Sequence, residues 1–170
     1  MKLALSFTLL LCLLLQSSCV SETSSKANQI RIAKTIEKIP ASQIRLFLYS
    51  LDPHDVSRFE GKLPENSAKS FHWMPVLGSI EIIPLTEKTN LLEALANGVR
   101  ENQNFSFACF DPRHGLRITT ESTTNDFVIC FECRSVEAYG FPPANVFLIS
   151  GSPAATFNKY LDEYKIRKTE

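Results

Sequence analysis

Residues Phe127 to Phe131 read Phe-Val-Ile-Cys-Phe, five apolar side chains in a row with no polar alternation. A strand of that kind is covered on both faces and lies inside its sheet, with a neighbour on either side and helices packed on it. It belongs to a longer stretch, residues 105 to 136, in which two apolar, β-branched and aromatic runs flank the polar loop Thr119-Thr-Glu-Ser-Thr-Thr-Asn125. That pattern is an antiparallel hairpin. Asp111-Pro112 interrupts its first arm, and a proline there bends, bulges or splits a strand because it removes a ladder donor.

The rest of the chain has to supply further strands and a helical layer. Ile30, Ala33 and Ile36 mark a short amphipathic helix that stops before Pro40. Gln43 to Leu51 reads as a first strand and Val76 to Pro84 as a second. Asn90 with Glu93 three places on is a capping box, and Leu91, Leu92, Leu95, Ala96 and Val99 form one apolar stripe behind it. The spacing predicts a helix from Asn90 to about Asn102, weakened near its end by Gly98, which costs about 1 kcal/mol relative to Ala. Ala144 to Ser150 is a last strand. Ser152 as N-cap and Pro153 at the first helical position then open a helix that buries Phe157, Tyr160, Leu161 and Tyr164. These elements make an α+β domain: a mostly antiparallel sheet of five to six strands, two main helices packed on one face, and a short N-terminal helix. Residues 52 to 75, with His54, His72 and Trp73, are the least regular segment, and a loop of that length is mobile or functional.

The first residues read as an address rather than as fold. Met1-Lys2 is followed by an almost wholly apolar run from Leu3 to Leu15 and then Gln16-Ser-Ser-Cys19, the layout of a signal peptide. The end of that run resembles a bacterial lipobox, in which the cysteine becomes the lipidated first residue; here that is Cys19, although Gln16 stands where the pattern has Leu. The resemblance implies a membrane attachment by lipid anchor only, in the periplasm or cell envelope. Ordinary cleavage at the same point implies a secreted soluble protein instead. The expected organisation is residues 1–19 as signal peptide, 20–27 as flexible tether and 28–170 as one domain. Lysine plus arginine and aspartate plus glutamate both number 18, so there is no basic footprint for nucleic acid and no polybasic membrane patch.

An exported chain meets oxidising conditions, where cysteine arithmetic becomes informative. With Cys19 lipidated or removed, Cys109, Cys130 and Cys133 remain. Three sulfurs allow one disulfide and leave one thiol over. A bridge from Cys109 to Cys130 or Cys133 would join neighbouring strands, closing a loop worth about 3 kcal/mol. Cys130 and Cys133 themselves, if the strand runs on, point to opposite faces. Cys109, His114, Cys130 and Cys133 are also a ligand set of the type zinc takes, so a zinc site is an alternative, with no other cofactor indicated. His114 beside a cysteine, oriented by Asp111 or Glu132, is the ingredient list of a small Cys/His hydrolase.

The segment Cys109-Phe-Asp-Pro-Arg-His-Gly-Leu-Arg117 followed by Val128-Ile-Cys-Phe-Glu-Cys133 resembles the signature of a family of small secreted or lipid-anchored bacterial proteins of uncharacterised function. The shared pattern is Cys-Phe-x-Pro-Arg-His-Gly, a loop, and Ile-Cys-Phe-x-Cys, with a weaker match at Leu77-Gly78. It implies export and brings no activity with it.

Asp111, Arg113, His114, Arg117 and Trp73 are the candidate binding surface. Arginine forks suit carboxylate or phosphate, though Arg113, Arg117 and Arg134 equally suit pairing with Asp111, Asp126 and Glu132 across strands. There is no nucleophile elbow and no His-Glu-x-x-His motif. The sequence therefore points to a non-enzymatic binding or structural module whose partner is an envelope protein or another surface component. A thiol- or zinc-dependent site and a small hydrolase stand as the alternatives.

Overall fold

A computed structural model of the chain describes residues 25–54 and 70–169. The expected signal peptide, Cys19 and most of the tether lie outside the described residues, as does the middle of the long loop after Pro53. Helix α1 covers residues 25–37, so residues 25–27, expected as tether, are already helical. A single 3₁₀ turn (Ala41–Gln43) leads into β1 (Arg45–Leu51). Then come β2 (Ser70–Phe71), β3 (Met74–Ile82), α2 (Leu85–Glu101), β4 (His114–Thr119), β5 (Thr124–Cys130), β6 (Ser135–Tyr139), β7 (Val146–Leu148) and α3 (Ala154–Glu163).

The strands form one seven-stranded sheet in the order β2-β3-β1-β4-β5-β6-β7, antiparallel at every pairing. The architecture is α+β as expected, with three helices and seven strands among the described residues where five to six strands were expected. The strand around Phe127–Phe131 is interior, flanked by β4 and β6, and those five residues are buried. Alternation then sorts its side chains. Phe127, Ile129 and Phe131 join the main core with Leu46, Leu48, Leu116, Ile118 and the inner faces of all three helices. Val128 points the other way, into a smaller cluster with Leu51, Phe71 and Met74. The β2–β3 hairpin caps that second face.

Three local expectations are corrected. The helix at residues 85–101 starts five residues before Asn90, because Pro84 supplies the break. Asn90 is no cap; its side-chain amide donates to the Tyr160 hydroxyl at 2.9 Å and ties α2 to α3. Ser152 does not cap α3 either, since its hydroxyl donates to Glu101 and the helix begins after Pro153. In α1 the buried face is Ile32, Ala33 and Ile36, with Ile30 39% exposed. The buried stripe thus begins at Gln29 rather than at Ile30.

The first arm of the hairpin is shorter than expected. Residues 102–113 carry no regular structure and strand β4 begins only after Pro112 and Arg113. Asn102 holds that irregular segment in place, donating from its amide to the carbonyls of Phe105 and Ile149 and accepting from the Phe105 N–H. The hairpin itself is present: β4 pairs with β5 with Arg117 opposite Asp126 and His114 opposite Ile129.

Candidate functional site

Strand β5 ends at Cys130, and the four residues 131–134 turn the chain straight back into β6. Arg134 closes the turn with φ at +59°, a left-handed conformation that non-glycine residues seldom adopt. The turn brings the α-carbons of Cys130 and Cys133 to 5.1 Å, and the two are joined as a disulfide. The expected bridge from Cys109 is therefore corrected. The extended reading placed Cys130 and Cys133 on opposite faces, but the strand does not continue to Cys133.

Cys109 is the remaining thiol among the described residues, and it is exposed. Its Sγ lies 3.6 Å from Cys133 Sγ. Two backbone donors point at the bridged sulfurs: the Asp111 N–H at Cys133 Sγ (3.2 Å) and the Cys133 N–H at Cys130 Sγ (3.0 Å). The Phe107 N–H bonds the Cys133 carbonyl and seats the irregular segment on the turn.

Beside the turn is a cavity of about 200 Å³. Five parts of the chain line it: Ser50 from β1, Asp111, Arg113 and His114 leading into β4, Phe131 and Glu132 from the turn, Asn158 from α3, and Lys168 near the C-terminus. Both charge signs meet there. Arg113 faces Glu132 at 3.5 Å and Asp111 at 3.9 Å, both long, and its Nε is buried without an acceptor. An unmet buried guanidinium N–H costs about 1–3 kcal/mol. Lys168 reaches Asp162 at 2.6 Å.

His114 lies on the core face. Its Nε2 pairs with Asn158 Oδ1 at 3.1 Å, and its ring packs on Phe131 and Phe157. Burial, partly offset by the Asn158 bond and reinforced by the Arg113 and Lys168 charges, lowers its pKa to about 4. The imidazole is thus neutral. Cys130 falls on the other face of β5 by strand alternation, so His114 and that sulfur do not meet. Among the described residues no three or more His, Cys, Asp or Glu side chains are arranged to hold a metal ion.

Of the predicted arginines, Arg117 is a cross-strand partner, with Nε and one terminal nitrogen on the two Asp126 oxygens at 2.8 and 2.7 Å. Arg134 lies over the rings of Phe105 and Phe107. They do not converge with Arg113. Trp73, 39% exposed, sits on the far side of the sheet with its indole N–H on Glu137. It belongs to the capping hairpin and not to the cavity. Sequence reasoning missed Asn158 and Lys168. Asn158 follows Phe157 on the flank of the buried face of α3, a position that carries no signal until the neighbouring strand is placed. It also missed the pair His72 and Asp126, whose Nε2 and Oδ2 are 2.8 Å apart.

Comparison with family models, with curated proteins and with solved structures gives no match.

Proposed function

We propose that this chain is an exported, lipid-anchored envelope protein whose domain is a non-enzymatic binding module, and that the cavity beside the Cys130–Cys133 turn receives a small zwitterionic group. An ammonium and a carboxylate a few ångströms apart, as at a peptide end of a partner or surface component, match its lining. Asp111 and Glu132 suit the ammonium and Arg113 suits the carboxylate. The observation that carries the reading is the loosely paired Arg113, whose terminal nitrogens stand 3.5 Å from Glu132 and 3.9 Å from Asp111 in a cavity walled by both charge signs. A carboxylate would offer those terminal nitrogens closer acceptors. The neutral His114 and the Asn158 amide add neutral hydrogen-bonding groups at the inner wall.

Titration of the protein with glycylglycine, followed by amide NMR shifts, tests the pocket, with acetate and methylammonium as single-charge controls. Shifts at His114, Asn158 and Lys168 that saturate with the dipeptide and are lost in Arg113→Gln are expected. Equal response to acetate alone, or none to any probe, overturns the zwitterion reading. The anchor is tested separately: Cys19→Ala should release the protein from membranes, and unchanged membrane retention would refute it.

A further inference from the structure

We infer that Cys109, Cys130 and Cys133 form a thiol–disulfide exchange set, in which one bridge passes between Cys130–Cys133 and Cys109–Cys133. The inference stands apart from the pocket reading and does not depend on it.

Exchange requires a thiolate to reach one sulfur of an existing disulfide. Cys109 Sγ is already at contact distance from Cys133 Sγ, 3.6 Å away, and Cys133 is already bridged. A reactant held at that distance behaves as an intramolecular group of very high effective concentration. Buried cysteines packed together would be inert core. This third sulfur is different because it is exposed, on the irregular segment 102–113 that no sheet ladder holds. A small displacement of that segment is enough to bring the sulfurs to bonding distance.

The step balances without any other reactant. Cys109 gives its proton to water, and the thiolate attacks Cys133 Sγ. The Cys109–Cys133 bond forms as the Cys130–Cys133 bond breaks. The electron pair leaves on Cys130 Sγ, which then takes a proton from water. One disulfide and one thiol are present before and after. The Cys133 N–H, 3.0 Å from Cys130 Sγ, is aimed at the sulfur on which charge develops.

The two isomers differ in what they show to solvent. With Cys130–Cys133 bridged, the free thiol is the exposed Cys109; with Cys109–Cys133 bridged, it is Cys130, 1% exposed. The exchange therefore withdraws a reactive thiol from the surface. It also frees one end of the turn whose Phe131 and Glu132 line the cavity.

The test is to hold the full chain in mildly alkaline buffer without added oxidant, quench with acid, unfold, and label free thiols with a maleimide. Serine replaces Cys12 in the leader and Cys19 beforehand, so that no other thiol can exchange, and peptide mapping then locates the label. Label divided between Cys109 and Cys130, with both bridges found by mass, is expected. Label confined to Cys109 overturns the exchange. A second arm uses Cys130→Ser in a buffer of oxidised and reduced glutathione. Closure of a Cys109–Cys133 bridge is expected there, and two unlinked or glutathione-capped thiols would overturn the inference independently of the first arm.

Discussion

The ring of Phe71 occupies the space that a side chain on Gly115 would need. A β-carbon built on Gly115 would lie 2.7 Å from Phe71 Cδ1 and 3.2 Å from Tyr49 Cβ. Phe71 is 1% exposed and stacks on Tyr49 with ring centroids 4.3 Å apart. The glycine of the Arg113-His-Gly115 segment is thus a docking floor for the β2–β3 hairpin, not a flexible joint. Gly115→Ala should destabilise the domain by about 1–3 kcal/mol through overpacking. The loss should fall first on the hairpin, seen as faster hydrogen exchange at Phe71 and Met74 than in the parent chain. Unchanged exchange and midpoint would show that Phe71 yields freely.

A second glycine reverses the sign that helix propensity assigns to it. Gly98 lies near the end of α2, where alanine would favour the helix by about 1 kcal/mol. Its added β-carbon, however, would sit 2.4 Å from Pro153 Cγ and 2.8 Å from Ile149 Cγ1. The Gly98 carbonyl also accepts the Ser150 N–H at 2.8 Å, which fixes the loop before α3 against the helix. Overpacking of about 1–3 kcal/mol outweighs the propensity gain. Gly98→Ala is expected to lower the denaturant midpoint, and a raised midpoint would show that the loop moves aside at no cost.

The network on the second face gives an acid-sensitive contribution. Asp126, 5% exposed, accepts two bonds from Arg117 and one from His72, whose ring stacks on Tyr139 at 3.7 Å. His72 itself stands at φ +55°, a strained conformation held by these contacts. Burial pushes the Asp126 carboxyl up, but the Arg117 and His72 hydrogen bonds and charges more than reverse it, so its pKa lies below the usual 3.8. The stabilisation is therefore complete above that usual value and is lost as pH falls through the lower folded one. Asp126→Asn should cost about 2–4 kcal/mol at neutral pH, less than a fully buried pair because Arg117 reaches solvent. Its stability should also fall less steeply than the parent's below about pH 4. Parallel acid profiles for the two would sink this assignment.

How far the fold was legible depended on where side-chain period alone decides. The Phe127–Phe131 strand, the polar turn after β4 and the stripe Leu91 to Val99 were readable because burial imposes their spacing. The start of α2 was not, since Asn90 has the chemistry of a cap and only the position of Tyr160 shows that its amide is used elsewhere. Ser135–Tyr139 alternates cleanly, with Val136 and Ala138 inward, yet it was hidden behind the assumption that the chain ran extended through Cys133. The same assumption misassigned the disulfide. Whether a strand ends at residue 130 or 133 is settled by a turn closed at Arg134, and arginine announces no left-handed conformation. In the cavity, Asp111, Arg113 and His114 were anticipated from local sequence, while Asn158 and Lys168 arrive from about 45 and 55 residues away and needed the packed fold.

His114 supplies a second pH window, separate from that of Asp126. Its imidazole is buried against Phe131 and Phe157, and that burial lowers its pKa from 6.5 to about 4. Above 6.5 neither the folded nor the unfolded chain holds the proton, so this residue adds no pH dependence there. Between 6.5 and about 4 the unfolded chain takes up a proton that the folded one refuses, and stability falls as pH falls. Over the full window the loss is on the order of 3 kcal/mol. Below about 4 it levels off, which is where the Asp126 loss sets in. His114→Gln keeps a polar group for Asn158 and removes the titration. The variant should be less stable than the parent at pH 7, and the difference should shrink steadily on going to pH 5. Urea midpoints measured at half-unit intervals check this, and a variant that keeps the parent's slope between those two values would show that another group carries it.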